Sequence, residues 1–505
     1  MIRDCDGAVG SCDVAVVGGG GAGLAAAIEA AESGASVALL EKNPALGGST
    51  LWSVGSITSS STPYQRRLGI EDSPLCHWED MPGFAGELDS RDNSALRRVM
   101  CEELPVTFQW LMDSGIRFYG PMAEPPHRCK RMHSVLPNSR SYIYNLERRA
   151  RRANVDIRTN AQVAGLIESD GAVVGLRYEH SGRVQRLESR TVILAAGDFS
   201  NSPQFKARFM GAQAAQIDGL NTTATGDGQR LGEALGGRVI NGDLALGPEL
   251  RFRPPQHDNL IRKLPPWRPV ALGIEWAMEH LPATVLRPFM MRFLTTALAP
   301  SLRLFEDGAI LINERGERFC DELHEPALEV PKQPNKSAHI LIDGRIARLY
   351  SAWPRFISTA PGIAYAFLPD YRRTRPDVYT EAPHLQALAE KLNMDAARLT
   401  AVVAAYNDSL APLECNGGEA AARRPLSSGP FIALGPVQAV FVHSEGGLAV
   451  DDQHRVLDCK DEPIRGLYAA GSSGQGGLLL KGHGHHLAWA FTSGRRAGRF
   501  AARAP

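Results

Sequence analysis

The chain has 505 residues, with 55 lysines and arginines against 55 aspartates and glutamates, 44% hydrophobic residues and 22% charged residues. That length rules out a single small binding module and suits two or three compact units, while the composition excludes extended disorder and a collagen-like fibre. The balanced charge offers no general field for nucleic acid or an anionic membrane, so neither is expected as a partner without a local patch. The first thirteen residues are acidic and lack a basic region followed by an apolar run, so no secretory signal is expected. Residues 13–42 then read as an apolar run, a glycine turn, an alanine-rich helix and a second apolar run ending in an acid, which is a complete β-α-β unit. Residues 94–114 and 141–153 have helical spacing with charged faces. From 155 to 197 short apolar runs alternate with turn pairs at Asp170-Gly171 and Ser181-Gly182, the pattern of a β-meander that returns to a buried strand.

Residues from about 230 to 430 are richer in proline and carry amphipathic stretches at 384–393 and 395–410, the texture of an inserted second domain. The stretch between Val270 and Phe305 is apolar but carries Glu275, Glu279, Arg287 and Arg292 and is broken by Pro282 and Pro288, so it is not a membrane span. The wider stretch 251–305, rich in Trp, Phe, Met and Leu, reads as a lid over an apolar substrate, a surface helix pair able to touch a membrane, or ordinary packing. A strand-like run at 441–451, another at 465–471 and a last helix from about 486 look like a return to the first domain. The expected fold is α/β: a Rossmann-like domain formed by residues 1–230 and 431–505, with an α+β capping or substrate domain at 231–430. Eight scattered cysteines (Cys5, Cys12, Cys76, Cys101, Cys129, Cys320, Cys415 and Cys459) show neither a disulfide framework nor ligand spacing, which points to a reducing cytoplasm and to no metal centre.

Gly18-x-Gly20-x-x-Gly23 follows an apolar strand and opens a helix, so its glycines allow a tight turn and close backbone approach while the helix N-terminus faces a pyrophosphate. Gly21 and Ala22 belong to the same turn. Glu41, at the end of the second strand, is placed to bond ribose hydroxyls, with Lys42 beside it.

The next segment, EKNPALGGST at 41–50, resembles the corresponding part of FAD-dependent enzymes of the fumarate reductase and 3-ketosteroid dehydrogenase superfamily. Further segments match in order: 160–167 with 192–200, TGDGQRLGEALGG at 225–237, GAILINERGERFCDE at 308–322 and GLYAAG at 466–471. The resemblance implies non-covalent FAD, with the glycines of the first turn on the pyrophosphate, Glu41 on the adenosine ribose, and Gly48, Ser49 and Thr50 along the middle of the cofactor. It further implies Val163 at the adenine, Ala196 and Gly197 behind the ribose, Asp227 toward the ribityl or phosphate region, and Gly471 and Ser472 along the ribityl chain. A helix beginning between Gly484 and Leu487 would aim its N-terminal N–H groups at the flavin pyrimidine edge.

The catalytic positions depart from those relatives. The arginine expected before GAIL aligns with Phe305, Arg303 being shifted by two; the arginine of the last motif falls near Gly482; and the tyrosine of ketosteroid dehydrogenases aligns with Leu480. His443 does match a superfamily active-site histidine. His443, Lys481 and His483 are therefore the expected acid–base residues, with His485 and His486 alongside. The resulting expectation is a flavoenzyme that oxidises or reduces a CH–CH bond next to a carbonyl in an apolar substrate, cyclic and steroid-like ones included, with an external electron acceptor or donor. The alternatives are a reductase of an unsaturated carboxylic acid, using Arg303 or Lys481 as anion clamp, and a flavin-binding protein without turnover.

Overall fold

Five parallel strands carry the first domain. A computed structural model of the chain describes residues 9–255, 263–360, 364–410 and 423–505, so Cys5 and Cys415 lie outside it. Strand Val9–Val17 is central, pairing parallel with Val37–Leu40 on one side and, from Arg186 onward, with Arg183–Leu194 on the other. Asp156–Arg158 extends the sheet beyond Val37–Leu40, and Pro463–Ala469 extends it beyond Arg183–Leu194, both parallel. The meander expected between 155 and 197 is present: Ala161–Ser169, Ala172–His180 and Arg183–Leu194 pair antiparallel in sequence. Buried Val14, Ala15 and Val16 show why the run is uniformly apolar, since both faces of this strand are covered.

Helix Gly21–Glu32 follows the first strand and packs against the last helix, His485–Arg503. Gly494 and Gly498 lie over the carbonyls of Ala22 and Ala26, so the two helices run parallel and touch through small residues. Both N-termini therefore emerge at the same end of the domain, beside the carboxyl ends of the parallel strands. That is where open α/β sheets bind ligands.

A second core surrounds a separate sheet. Its central strand, Phe431–Phe441, pairs antiparallel with Glu249–Phe252, Ala338–Ile342 and Tyr379–Ala382, and Ile310–Ile312 adds an edge. Residues 431–441, expected in the returning part of the first domain, thus belong to this sheet, because Phe431, Ile432, Leu434 and Val437 bury their side chains in the second core. Two short ribbons connect the sheets: Val239–Ile240 with Gly447–Leu448, and Ala245–Leu246 with His443–Ser444. They hold His443 at the junction. The apolar stretch before residue 305 forms helices Arg268–His280 and Ala283–Ala297, with Trp267, Leu272, Trp276, Leu281 and Val285 exposed. Among the described residues no helix is long and apolar enough to cross a membrane.

Candidate active site

The carboxyl ends of the parallel strands open into a cleft of about 1370 Å³, its open mouth included. Every residue expected to bind the cofactor lines it except Gly23: Gly18, Gly20, Gly21, Ala22, Glu41, Lys42, Gly48, Ser49, Thr50, Val163, Ala196, Gly197, Asp227, Gly471, Ser472 and Leu487. Gly23 supports the cleft from behind. A methyl built on it would lie 1.8 Å from the Gly18 carbonyl oxygen, so this glycine permits the helix to leave the turn. Gly18 itself takes φ +107° and sits against Ala195, where a side chain would collide with the neighbouring strand.

Polar contacts fix the walls. Glu41 is buried; its Oε2 accepts from the Gly19 N–H at 2.7 Å and its Oε1 from the Asn43 N–H at 2.8 Å. A carboxylate oxygen accepts two hydrogen bonds, so Oε2 retains capacity for a ribose hydroxyl. Thr50 Oγ1 accepts from the Gly21 N–H at 3.2 Å, tying the glycine turn to the short helix Gly48–Trp52. Ser49 Oγ accepts from Asn221 Nδ2 at 2.9 Å. Lys42 donates to Asp227 at 2.8 Å and to Thr225 at 2.6 Å. Burial opposes ionisation of Asp227, yet Lys42 and Arg230 hold its carboxyl below the usual range. Asp227 is the first helical residue and not the cap, which is Gly226, so it serves as an anchor for Lys42. Ser473 donates to the Gly197 carbonyl at 2.9 Å, joining the two strand ends behind the cleft. The dinucleotide fit is carried by this cradle: a glycine turn, an uncapped helix N-terminus and a carboxylate at the next strand end.

At the other end of the cleft His443 and His486 line the wall with ring centroids 3.8 Å apart. Sequence reasoning missed what stands behind them. Glu445 is fully buried, and its Oε1 lies 3.7 Å from His443 Nε2, 3.6 Å from His486 Nε2 and 3.5 Å from Lys481 Nζ. Its other oxygen accepts from Gln475 Nε2 at 2.6 Å. The carboxylate is held well below its usual range; burial opposes this, and His486 and His443 overcome it. Burial lowers the His443 imidazole, the neighbouring His486 lowers it further, and Glu445 raises it. No motif marks Glu445; only its position two residues after a singled-out histidine, on a ribbon folded against the last helix, could have suggested it.

Lys481 thus reaches the cluster through Glu445 and is not part of the cleft wall. His483 does not line the cleft either. Its ring and backbone N–H both engage Glu124, which raises its imidazole above the ordinary value. His485 turns inward to His77 and His127. Phe305 is fully buried in the second core and Leu480 in the first, so neither position offers a polar group to substrate. Arg303 is largely exposed, 4.0 Å from Glu306. Tyr142 is buried, donates to the Gly55 carbonyl at 3.0 Å and has its hydroxyl pushed well up by burial.

The FAD binding domain family model matches residues 13–263 and 274–478. The chain belongs to that family. FAD is its cofactor, and the protein is an FAD-dependent oxidoreductase, as the motifs implied. It is 28% identical over 481 residues to the NADH:fumarate oxidoreductase of Klebsiella pneumoniae (strain 342), covering 92% of this chain but only 45% of that protein. It is 25% identical to the vinyl phenol reductase of Lactiplantibacillus plantarum over 97% of this chain and 96% of that one. The open conformation of a flavocytochrome c3 fumarate reductase superposes with a TM-score of 0.71 at 23% identity, over 98% of this chain and 78% of that one, which establishes the shared fold.

Proposed function

We propose that this flavoenzyme reduces a carbon–carbon double bond activated by a neighbouring carbonyl in a compact, apolar substrate. The observation that carries this is the cluster at one end of the cleft, where two histidines line the wall and a buried carboxylate stands behind them. When bound, FAD supplies hydride exchange with one substrate carbon. His443 holds the proton for the adjacent carbon, and Glu445 orients the ring and favours its protonated form. Lys481, outside the cleft wall, shares the same carboxylate and balances part of its charge. The reductase names of the similar proteins support the direction. An external electron carrier acts as reductant, and a cytoplasmic address is part of the reading, supported by six described cysteines that are all free thiols.

An unsaturated carboxylic acid is the second reading, favoured by the fumarate activity named for one relative. Against it, no arginine is among the described residues that line the cleft, whereas a bidentate guanidinium is the group that matches a carboxylate. Anaerobic reoxidation of the reduced enzyme by a panel of enones, vinyl phenols, fumarate, urocanate and acrylate separates the two. Rapid reoxidation by neutral alkenes is expected, and turnover of the acids alone would overturn the proposal. His443→Ala should slow the competent acceptors ~10²- to 10⁴-fold with FAD content unchanged.

A further inference from the structure

Away from the cleft wall, three histidines from distant parts of the sequence meet in the interior: His77 from helix Pro74–Asp80, His127 from the loop before strand Met132–Leu136, and His485 at the start of the last helix. His77 and His485 are fully buried and His127 is 8% exposed. Their ring centroids form a nearly equilateral triangle with sides of 5.2, 5.3 and 5.4 Å. His77 Nε2 and His485 Nε2 face each other at 3.2 Å, and one ligand atom from each of the three rings lies within 4.8 Å of the others. Tetrahedral zinc with Zn–N bonds of about 2.05 Å requires nitrogen pairs about 3.3 Å apart and ring centroids roughly 5 Å apart. The centroid triangle and the His77–His485 nitrogen pair have those dimensions. We propose that His77, His127 and His485 form a binding site for a divalent transition-metal ion of the zinc class, with water as the fourth ligand.

The outer atom of the His485 ring supports the assignment. His485 Nδ1 donates to the Lys481 carbonyl, which leaves Nε2 with its lone pair turned into the cluster, as ligating histidines require. His127 Nε2 is buried with no hydrogen-bond partner. Its Nδ1 accepts from Arg131 at 2.8 Å, with Asp80 3.9 Å away, so ligation through Nε2 requires that bond to be given up. Arg131 is already matched by Asp72 and Asp80, and buried Glu124, whose Oε2 has no partner, contributes a further negative charge that acts on His485. An ion here would fasten the helix Pro74–Asp80 and the loop at 127 to the turn 481–485, which leads into the helix facing the flavin. The inference is independent of the substrate proposal.

The test uses FAD-loaded protein dialysed against chelator and titrated with Co²⁺, a spectroscopic stand-in for zinc. One equivalent should bind and develop the visible bands of a tetrahedral nitrogen site, and Zn²⁺ should displace it. His77→Ala and His127→Gln should each abolish the bands while retaining flavin absorbance, and Glu445→Gln should retain both. The second variant serves where the first fails to fold. Flavin-loaded wild-type protein that takes up no Co²⁺, or Co²⁺ bands that persist in His127→Gln or vanish in Glu445→Gln, would overturn the assignment.

Discussion

Replacing Glu445 by glutamine keeps the shape of a fully buried side chain and removes its charge. In the native cluster Oε1 lies 3.7 Å from His443 Nε2. A unit pair at that distance and an effective dielectric of about 20 interacts by roughly 4 kcal/mol, equivalent to about three pH units. Lys481 and His486 share the carboxylate and divide its effect, and the His443 pKa is expected to fall. The sign follows from which form the carboxylate favours: Glu445 stabilises protonated His443, and without it the proton is lost at lower pH. Stopped-flow reoxidation of the reduced enzyme, followed across pH at a fixed saturating acceptor, reads this directly. The limb on which the rate falls as pH rises should move to lower pH, with FAD content unchanged. A profile superimposable on wild type would refute the assignment of Glu445 as the group that positions the proton.

Gly23→Ala should empty the cofactor site or leave the chain insoluble, since the new methyl would lie 1.8 Å from the Gly18 carbonyl; flavin absorbance per chain after gel filtration measures it. Glu41→Ala should lower FAD occupancy by releasing both the Gly19 N–H and a ribose acceptor, and equal occupancy in dialysis would count against that role. NADH alone should bleach the flavin poorly under anaerobic conditions, because one dinucleotide fingerprint is present and FAD takes it; rapid bleaching would reverse this. His133 and His454 are held down to about 3 by burial, so between pH 6.5 and 3 the unfolded chain binds protons that the native chain does not. Stability should therefore fall on acidification by about 1.4 kcal/mol per pH unit for each histidine, and chemical denaturation from pH 7 to 5 should lose this slope in the His133→Asn, His454→Asn double variant.

The cofactor end of the site was legible because its information is local. Gly18, Glu41, Gly48 and Gly471 all line the cleft, brought there by backbone shape and strand ends that a short run of residues specifies. The catalytic end was only partly legible. His443 was found through its motif, whereas Lys481 and His483, adjacent in the same segment, part company: one turns toward Glu445 and the other toward Glu124. The domain boundary at 431 was misplaced for a related reason. Strand Phe431–Phe441 is apolar enough for either core, and its long-range partners alone assign it to the second sheet.

By itself the sequence determined the parallel α/β framework, the order of its cofactor-binding segments and the flavin that fits them, because hydrophobic periodicity and glycine turns act over a few residues. Tertiary structure decided which titratable groups share an environment. Glu445 beside His443, His486 and Lys481, and His77 beside His127 and His485, are encounters between residues as much as 408 positions apart. The pKa of a histidine, and the ion or proton it can hold, depend on neighbours within a few ångströms, and only the packing of the two helices and the connecting ribbons brings those neighbours together.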